Sequence, residues 1–271
     1  MERVPGRIGI AGDWHGNTEW ATRAVRKISA LLPAGQPRII VHLGDFGIWP
    51  GPGGQRYLSA LDAALDAADT ELWFVDGNHD DFTQLAGLRP GPDGRAQVTE
   101  RIWYLPRGHR WRWHGRDWLA LGGAVSLDRA ERTVGVDWWP EEEITPRQAA
   151  AVIEAGAADV MVTHECPAGI EHVFPPVPPG WAAADLRRSD AHRGLLREVV
   201  LAVRPGWLMH GHLHLSYQRR VDLGGGPIEV TGLDCDGADT GNWAILDVTD
   251  MRWLRWQGRP ISNALRGLVS R

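Results

Sequence analysis

Cysteine is almost missing from this chain. Cys166 and Cys235 are the only two in 271 residues, which excludes a disulfide framework and a thiolate zinc site. Any metal must therefore be held by nitrogen and oxygen. Lysine occurs once, as Lys27, and asparagine four times. Both biases read as GC-rich coding, so the abundance of arginine says little by itself about partners. No apolar run approaches the roughly 20 residues that cross a bilayer. The opening Met1-Glu2-Arg3-Val4-Pro5-Gly6-Arg7 lacks the basic-then-apolar layout of a secretory leader. Positive charge is not in excess either: 29 basic against 34 acidic residues leave a net charge of −5, which excludes a generally basic nucleic-acid coat. The expectation is a soluble cytoplasmic protein with no membrane attachment. What the chain does have is 43% hydrophobic residues, enough for a real core, and a length that fits one domain over residues 1–271.

The first half alternates strand-like and helix-like segments. Arg7 to Gly12 is short, partly β-branched and ends on glycine. Asn17 to Leu32 places Trp20, Ala21, Ala24, Val25, Ile28, Leu31 and Leu32 at helical spacing, and Pro33-Ala34-Gly35 stops it. Arg38 to Leu43 reads as a strand, Gln55 to Ala68 as a helix and Glu71 to Val75 as a strand. This rhythm predicts a parallel sheet covered by helices. Beyond it, Arg101 to Leu105 and His109 to Gly123 read as strands joined by tight turns. Thr145 to Ala155 and Asp185 to Val203 read as helices, and Asp159 to Thr163 as a buried strand. Val173 to Gly180 is a proline-rich loop. Trp207 to His214, Tyr217 to Leu223, Ile228 to Gly232, Trp243 to Val248 and Trp253 to Trp256 complete the strands. Sheets that are partly parallel and partly antiparallel follow.

The chemistry collects where strands end. Ile10-Ala11-Gly12 runs into Asp13-Trp14-His15, Val41-His42-Leu43 into Gly44-Asp45, and Phe74-Val75 into Asp76-Gly77-Asn78-His79-Asp80. Met161-Val162-Thr163 runs into His164, and Leu208-Met209 into His210-Gly211-His212-Leu213-His214. In open α/β sheets ligands gather beyond the carboxyl ends of strands. The donors there are oxygen and imidazole without sulfur, the set that suits manganese, iron or zinc. In an extended segment positions i and i+2 face one way, so Asp13 with His15, and His212 with His214, are expected to point together. About seven ligands exceed what one ion with open positions can use, and two ions sharing a carboxylate is the economical arrangement.

In this order the motifs resemble those of the calcineurin-like metallophosphoesterases: D-x-H, G-D, G-N-H-[D/E], a single His and G-H-x-H. They stand here as Asp13-Trp14-His15, Gly44-Asp45, Gly77-Asn78-His79-Asp80, His164 and Gly211-His212-Leu213-His214, spanning most of the chain. The resemblance implies an α/β fold, a four-layer α/β/β/α sandwich with two mixed β-sheets. It implies two divalent metal ions, manganese first, with iron, zinc or nickel as alternatives. Asp13, His15 and His214 would hold one ion, Asn78, His164 and His212 the other, and Asp45 would bridge them. His79 would stay unliganded beside the substrate, binding a phosphate oxygen or protonating the leaving group; His79 and Asp45 are thus the catalytic pair it implies. The implied reaction is hydrolysis of a phosphodiester or phosphomonoester, in the direction of a small or nucleotide-like diester. Two ions about 3.5–4 Å apart would acidify a bridging hydroxide's parent water and neutralise the phosphoryl oxygens during in-line attack. Many relatives carry an acid three residues after the second-motif aspartate, where it orients the catalytic histidine. Here that residue is Ile48, so another group, Asp80 or a backbone carbonyl, must do so.

A second class of function competes. Arg101 to Trp118 interleaves Arg107, Arg110, Arg112 and Arg116 with Trp103, Trp111, Trp113 and Trp118, which could form a stacking surface for nucleic acid around purely structural metals. A hairpin turning at Gly115-Arg116 with tryptophans inward explains the same alternation and is favoured, as is a small-molecule or nucleotide phosphoester over a nucleic acid. Trp14, between two ligands, is expected under the site or as its wall, and Trp49 or Trp139 is expected to stack on the organic part of the substrate. Arg129 or Arg132 could reach a phosphate, or simply carry a solvated loop charge.

Overall fold

Strand ends that carry ligands are useful only if the strands lie side by side, and they do. A computed structural model describes residues 4–170 and 180–260. The chain begins with β1 (Arg7–Ala11), α1 (Thr18–Ser29), β2 (Ile39–His42), α2 (Gly51–Ala67), β3 (Glu71–Phe74) and a short α3 (Phe82–Gly87). Strands β4 (Ala96–Gln97), β5 (Ile102–Tyr104), β6 (Arg110–Trp113) and β7 (Arg116–Leu121) follow. Then come α4 (Pro146–Glu154), β8 (Val160–Thr163), α5 (Ala183–Val203) and β9 (Trp207–His210). The last strands are β10 (Tyr217–Asp222), β11 (Pro227–Gly232), β12 (Trp243–Asp247), β13 (Arg252–Trp256) and β14 (Arg259–Pro260).

One sheet of eight strands runs β14-β13-β12-β1-β2-β3-β5-β4, and one of six runs β10-β11-β9-β8-β7-β6. In the first, β1, β2, β3 and β5 are parallel and the flanking strands antiparallel. In the second, β7, β8, β9 and β11 are parallel with β6 and β10 antiparallel at the edges. Both sheets are mixed, as the change of rhythm after residue 100 predicts.

The period of two along each strand sorts the core into three parts. Ile8 and Ile10 of β1, Val41 of β2 and Trp73 of β3 meet Trp118 and Ala120 of β7, Val160 and Val162 of β8 and Met209 of β9 between the sheets. The alternate residues face outward: Ile40, Leu72 and Phe74 pack under Ala21, Val25, Ile28, Tyr57, Leu61 and Leu65 of α1 and α2. On the far side Leu119, Leu121, Met161 and Leu208 pack under Ala149 and Val152 of α4 and Leu196, Val199 and Val203 of α5. Helix, sheet, sheet, helix is therefore the layer order, a four-layer α/β sandwich. Caps set the helix starts: the Asn17 side chain accepts from Trp20 N, and Thr145 forms a reciprocal capping box with Gln148.

Several bounds differ from the sequence expectation, each for a physical reason. Helix α2 starts at Gly51, four residues early, because Pro52 sits in the first turn, where no amide donor is needed. Helix α3 and strands β4 and β14 are too short to show a period. The strand beginning at Trp207 ends at His210 rather than His214, since His212 and His214 take left-handed φ of +63° and +50°. The expected loop Val173 to Gly180 falls, except for Gly180, outside the described residues.

The Arg/Trp stretch is the hairpin β6–β7. Its two-residue turn is His114-Gly115, one residue before the expected Gly115-Arg116, because Arg116 pairs with Trp113 in the ladder; φ is positive at both turn positions, as the right-handed twist of a hairpin demands. Trp113 and Trp118 are buried between the sheets against Trp73. Its arginines are engaged inside the molecule: Arg110 donates to the Gly156 and Ala157 carbonyls, Arg112 pairs with Asp117, and Arg116 donates to the Val248 and Thr249 carbonyls.

Candidate metal centre and active site

The loops leaving β1 and β2 clasp each other. Leu43 N donates to Ala11 O at 2.8 Å, Asp13 N to Gly44 O at 3.0 Å and His15 N to Asp45 O at 2.9 Å. Asp13, His15 and Asp45 all have φ near +50°, a conformation non-glycine residues adopt only under external constraint. The expected extended geometry at Asp13 and His15 is thus absent; a left-handed clasp, not a strand end, turns these side chains together. Two glycines make the clasp possible. At Gly44 (φ +93°) a Cβ would lie 2.4 Å from His164 Nδ1, and at Gly77 one would lie 2.2 Å from both Asp45 N and Asp45 Oδ1.

Asp45 is the hub. It is 1% exposed, and its Oδ1 accepts the His79 amide at 2.8 Å and lies 3.2 Å from His164 Nε2. Its Oδ2 lies 3.3 Å from His15 Nε2 and 4.0 Å from His79 Nε2. Burial opposes ionisation, but His164, His79 and His15 together hold this carboxyl well below the usual carboxylate range. Burial likewise opposes protonation of His164, yet Asp45 and Asp13 push it up to about 10.

The potential ligands fall into two groups that share Asp45. Asp13, His15, Asp45 and His214 form one, and Asp45, His164 and His212 the other; in each, the ligating atoms lie within 4.8 Å of one another. Asn78 Oδ1 joins the second at 3.2 Å from His164 Nε2. All seven residues expected as metal ligands are thus brought together. Their chemistry fits divalent cations: imidazole and carboxylate oxygen converge, and Asp13 Oδ2 is buried without a hydrogen-bond partner, an orphan a cation would satisfy. Divalent ions here would be ligated by these groups, with imidazoles oriented by carboxylates and carbonyls behind them. Asp236 Oδ1 stands 2.9 Å from His15 Nδ1, and Leu43 O 2.7 Å from His164 Nδ1.

His79 lies 5.6 Å from His15, ring to ring, with its Nε2 3.2 Å from Arg132 Nη2. Asp80 does not orient it. The Asp80 carboxylate instead accepts the amides of Gly77 (2.8 Å), Gly47 (2.9 Å) and Ile48 (3.2 Å), so it ties the loop bearing Asp45 to the loop bearing Asn78. Ile48, where an acid was sought, is buried in the core. The group beside His79 is Arg132, itself held by Asp128 at 2.6 Å and the Asp137 carbonyl at 3.0 Å. Burial lowers His79 below its ordinary pKa, and the Arg132 charge adds to the lowering against the pull of Asp45. Arg129, by contrast, is committed to Asp185 at 2.9 Å.

The aromatic expectations divide. Trp14 is fully buried under the site, donating to Asn242 Oδ1 at 3.0 Å, with its ring 4.6 Å from His42. Trp139 is 5% exposed and donates to Thr83 Oγ1; it belongs to the core and cannot stack on a substrate. Trp49 is half-buried, 6.4 Å from His79. His42 and His210 are fully buried behind the ligands.

Four further residues were not read from the sequence: Asp236, Ser126, Glu142 and Glu165. Asp236 carried a signal, since it follows β11 just as the other ligands follow their strands. Ser126 and Glu142 lie in the long connection after β7, where no periodicity points to either. Glu165 is fully buried; its Oε2 has no hydrogen-bond partner and lies 3.5 Å from His212 Nε2.

The sequence matches the calcineurin-like phosphoesterase family over residues 6–216, and the chain belongs to that family of phosphoester hydrolases. No curated protein matches it. Among solved structures, it is similar to the anchor protein in the inner membrane complex of Plasmodium, at 11% identity and a TM-score of 0.45 over 97% of this chain and 94% of that one. It is also similar to the phosphopantetheinyl hydrolase of Mycobacterium tuberculosis, at 14% identity and a TM-score of 0.41 over 86% and 91%. A predicted phosphoesterase of Streptococcus pneumoniae matches at 11% identity and a TM-score of 0.37 over 91% and 83%. Among the described residues no helix is long and apolar enough to cross a membrane.

Proposed function

We propose that this protein hydrolyses a phosphoester with a pair of divalent ions, and that its substrate is a small or nucleotide-like phosphodiester. The observation that carries the reading is the sharing of Asp45 between two ligand groups. Asp13, His15 and His214 would hold one ion and Asn78, His164 and His212 the other, with Asp45 belonging to both groups. Manganese is the expected metal, and the same donors accept iron, zinc or nickel. When bound, such ions supply Lewis acidity to the phosphoryl oxygens and to the attacking water.

The protein's own residues do the rest. His79 Nε2 lies 4.0 Å from Asp45 Oδ2, with the Arg132 guanidinium as its other partner, and His79 and Arg132 receive the phosphoryl group. With Arg132 Nη2 donating to it at 3.2 Å, His79 Nε2 is an acceptor in the free protein, so its lone pair is capped until a substrate oxygen draws the guanidinium away. Once uncovered, Nε2 takes up a proton from solvent, and the imidazolium so formed hydrogen-bonds a phosphoryl oxygen or passes that proton to the leaving oxygen, a contribution of roughly 10²–10⁴-fold in general acid catalysis. Arg132 takes a non-bridging oxygen through charge-assisted hydrogen bonds. Trp49, half-buried beside His79, offers a ring face to the organic part of the ester.

The test is hydrolysis of bis-p-nitrophenyl phosphate and p-nitrophenyl phosphate by metal-stripped protein refilled with Mn²⁺. A Mn²⁺-dependent rate, faster on the diester and lost in Asp45→Asn and His79→Ala, is expected. A faster monoester rate would reverse the substrate class. Absence of bound metal, or a wild-type rate in Asp45→Asn with the fold intact, would overturn the reading.

A further inference from the structure

Asn78 differs from the other ligands in having two ends. A side-chain amide presents a carbonyl oxygen that can ligate a cation and an NH₂ group that cannot, related by a half-turn of almost equal shape. Something has to choose between them. The long connection after β7 brings two buried polar side chains, Ser126 and Glu142, to the NH₂ end. Asn78 Nδ2 donates to Ser126 Oγ at 3.1 Å, and the Ser126 hydroxyl donates to Glu142 Oε2 at 2.6 Å. The Glu142 carboxylate is fixed in turn by its other oxygen, which accepts Ser126 N at 3.0 Å. None of the three side chains is more than 1% exposed.

With Glu142 ionised, the direction of this chain is fixed. A hydroxyl has one proton; here it is spent on a carboxylate, so the Ser126 oxygen toward Asn78 can only accept. Only the NH₂ end of the amide satisfies it, which leaves Oδ1 facing His164 Nε2 at 3.2 Å. Merely capping a buried NH₂ group would take one backbone carbonyl, whereas burying a carboxylate for the purpose costs free energy. What the charge adds is polarisation: the carboxylate makes the hydroxyl oxygen a stronger acceptor, which draws on the amide N–H and leaves Oδ1 more negative.

We infer that Ser126 and Glu142 are positioning residues that hold the carbonyl oxygen of Asn78 on the second ion. This rests on the proposed two-ion site. The test is direct Mn²⁺ binding to full-length, metal-stripped protein, followed by the electron paramagnetic resonance of free Mn²⁺ and by calorimetry, in wild type, Ser126→Ala and Glu142→Gln. Wild type binds two ions. In Ser126→Ala one binding step weakens by about 10–100-fold, the usual effect of removing a group behind a ligand, while the other is unchanged. Glu142→Gln, which no longer pins the hydroxyl proton, weakens the same step by less. Unchanged binding in both variants overturns the inference. Equal weakening of both steps also overturns it, because that is a loosened fold rather than a misdirected amide. Wild type that binds fewer than two ions refutes the two-ion site itself, a result separate from either.

Discussion

Replacing Asp80 by alanine tests whether the metal loops are held by the fold or by the ions. The Asp80 carboxylate is fully buried and accepts four amides, those of Gly77, Gly47 and Ile48 at 2.8, 2.9 and 3.2 Å and, at the longer distance of 3.4 Å, that of Phe46. Deleting it strands all four donors, and the three short bonds alone cost about 1–3 kcal/mol each, about 3–9 kcal/mol together. Part is returned, because the ionised carboxyl is itself strained by burial and by Asp45, which push it up to about 6. The expected loss is therefore in the lower half of the range, about 3–5 kcal/mol. Asp80→Asn keeps one acceptor oxygen and is expected to lose about 1–3 kcal/mol. Urea denaturation of metal-free protein is the assay, since bound ions would stabilise the folded state by mass action and mask the difference. A loss below about 1 kcal/mol in Asp80→Ala would show that these loops do not depend on the carboxylate.

Arg132→Ala should weaken inorganic phosphate binding to the Mn²⁺-loaded protein and raise KM about 10–100-fold, the equivalent of one charged hydrogen bond, with metal stoichiometry unchanged. Equal phosphate affinity would remove Arg132 from the substrate site. Buried His192 accepts the Ile144 amide at 3.0 Å, and burial with Arg107 nearby lowers it to about 3. Below its unfolded value of 6.5 the unfolded chain binds the extra proton, so stability is present above pH 6.5 and lost as pH falls. By pH 5 the loss is about 2 kcal/mol at about 1.4 kcal/mol per unit; a His192→Phe variant with the same pH slope in urea denaturation would refute it. Gly77→Ala, whose Cβ would lie 2.2 Å from Asp45 N, is expected to displace Asp45 and abolish stoichiometric Mn²⁺ binding; retained binding of two ions would show that the loop has room to give.

The sequence exposes what repeats and conceals what does not. The period of two in Ile8, Ile10 and Ile39, Val41 and the spacing of Trp20 to Leu32 announce strands and helix. The order of the five motifs announces the ligands. The extended geometry predicted at Asp13-Trp14-His15 and Gly211-His212-Leu213-His214 failed because loop-to-loop amide bonds, not strand pairing, decide φ there. Trp139 was misplaced because burial depends on how the segment after β7 folds back, which no local pattern states. Ser126 and Glu142 come from that same segment and act through contacts distant in sequence, which leave no period behind; Arg132, also from it, is legible only as one of two loop arginines able to reach a phosphate.

The ligand groups do not come from one sheet. Asp13, His15, Asp45 and Asn78 leave strands of the eight-stranded sheet, whereas His164, His212 and His214 leave strands of the six-stranded one. A cation among them would thus be a crosslink between two layers that otherwise meet mainly through apolar packing. Metal at 1,000 times its dissociation constant adds about 4 kcal/mol to folded stability, and here that increment acts across the interior of the sandwich. Stripping the ions would let the layers slide apart at this end first. A relative that had lost its chemistry could still keep every one of these ligands as a rivet.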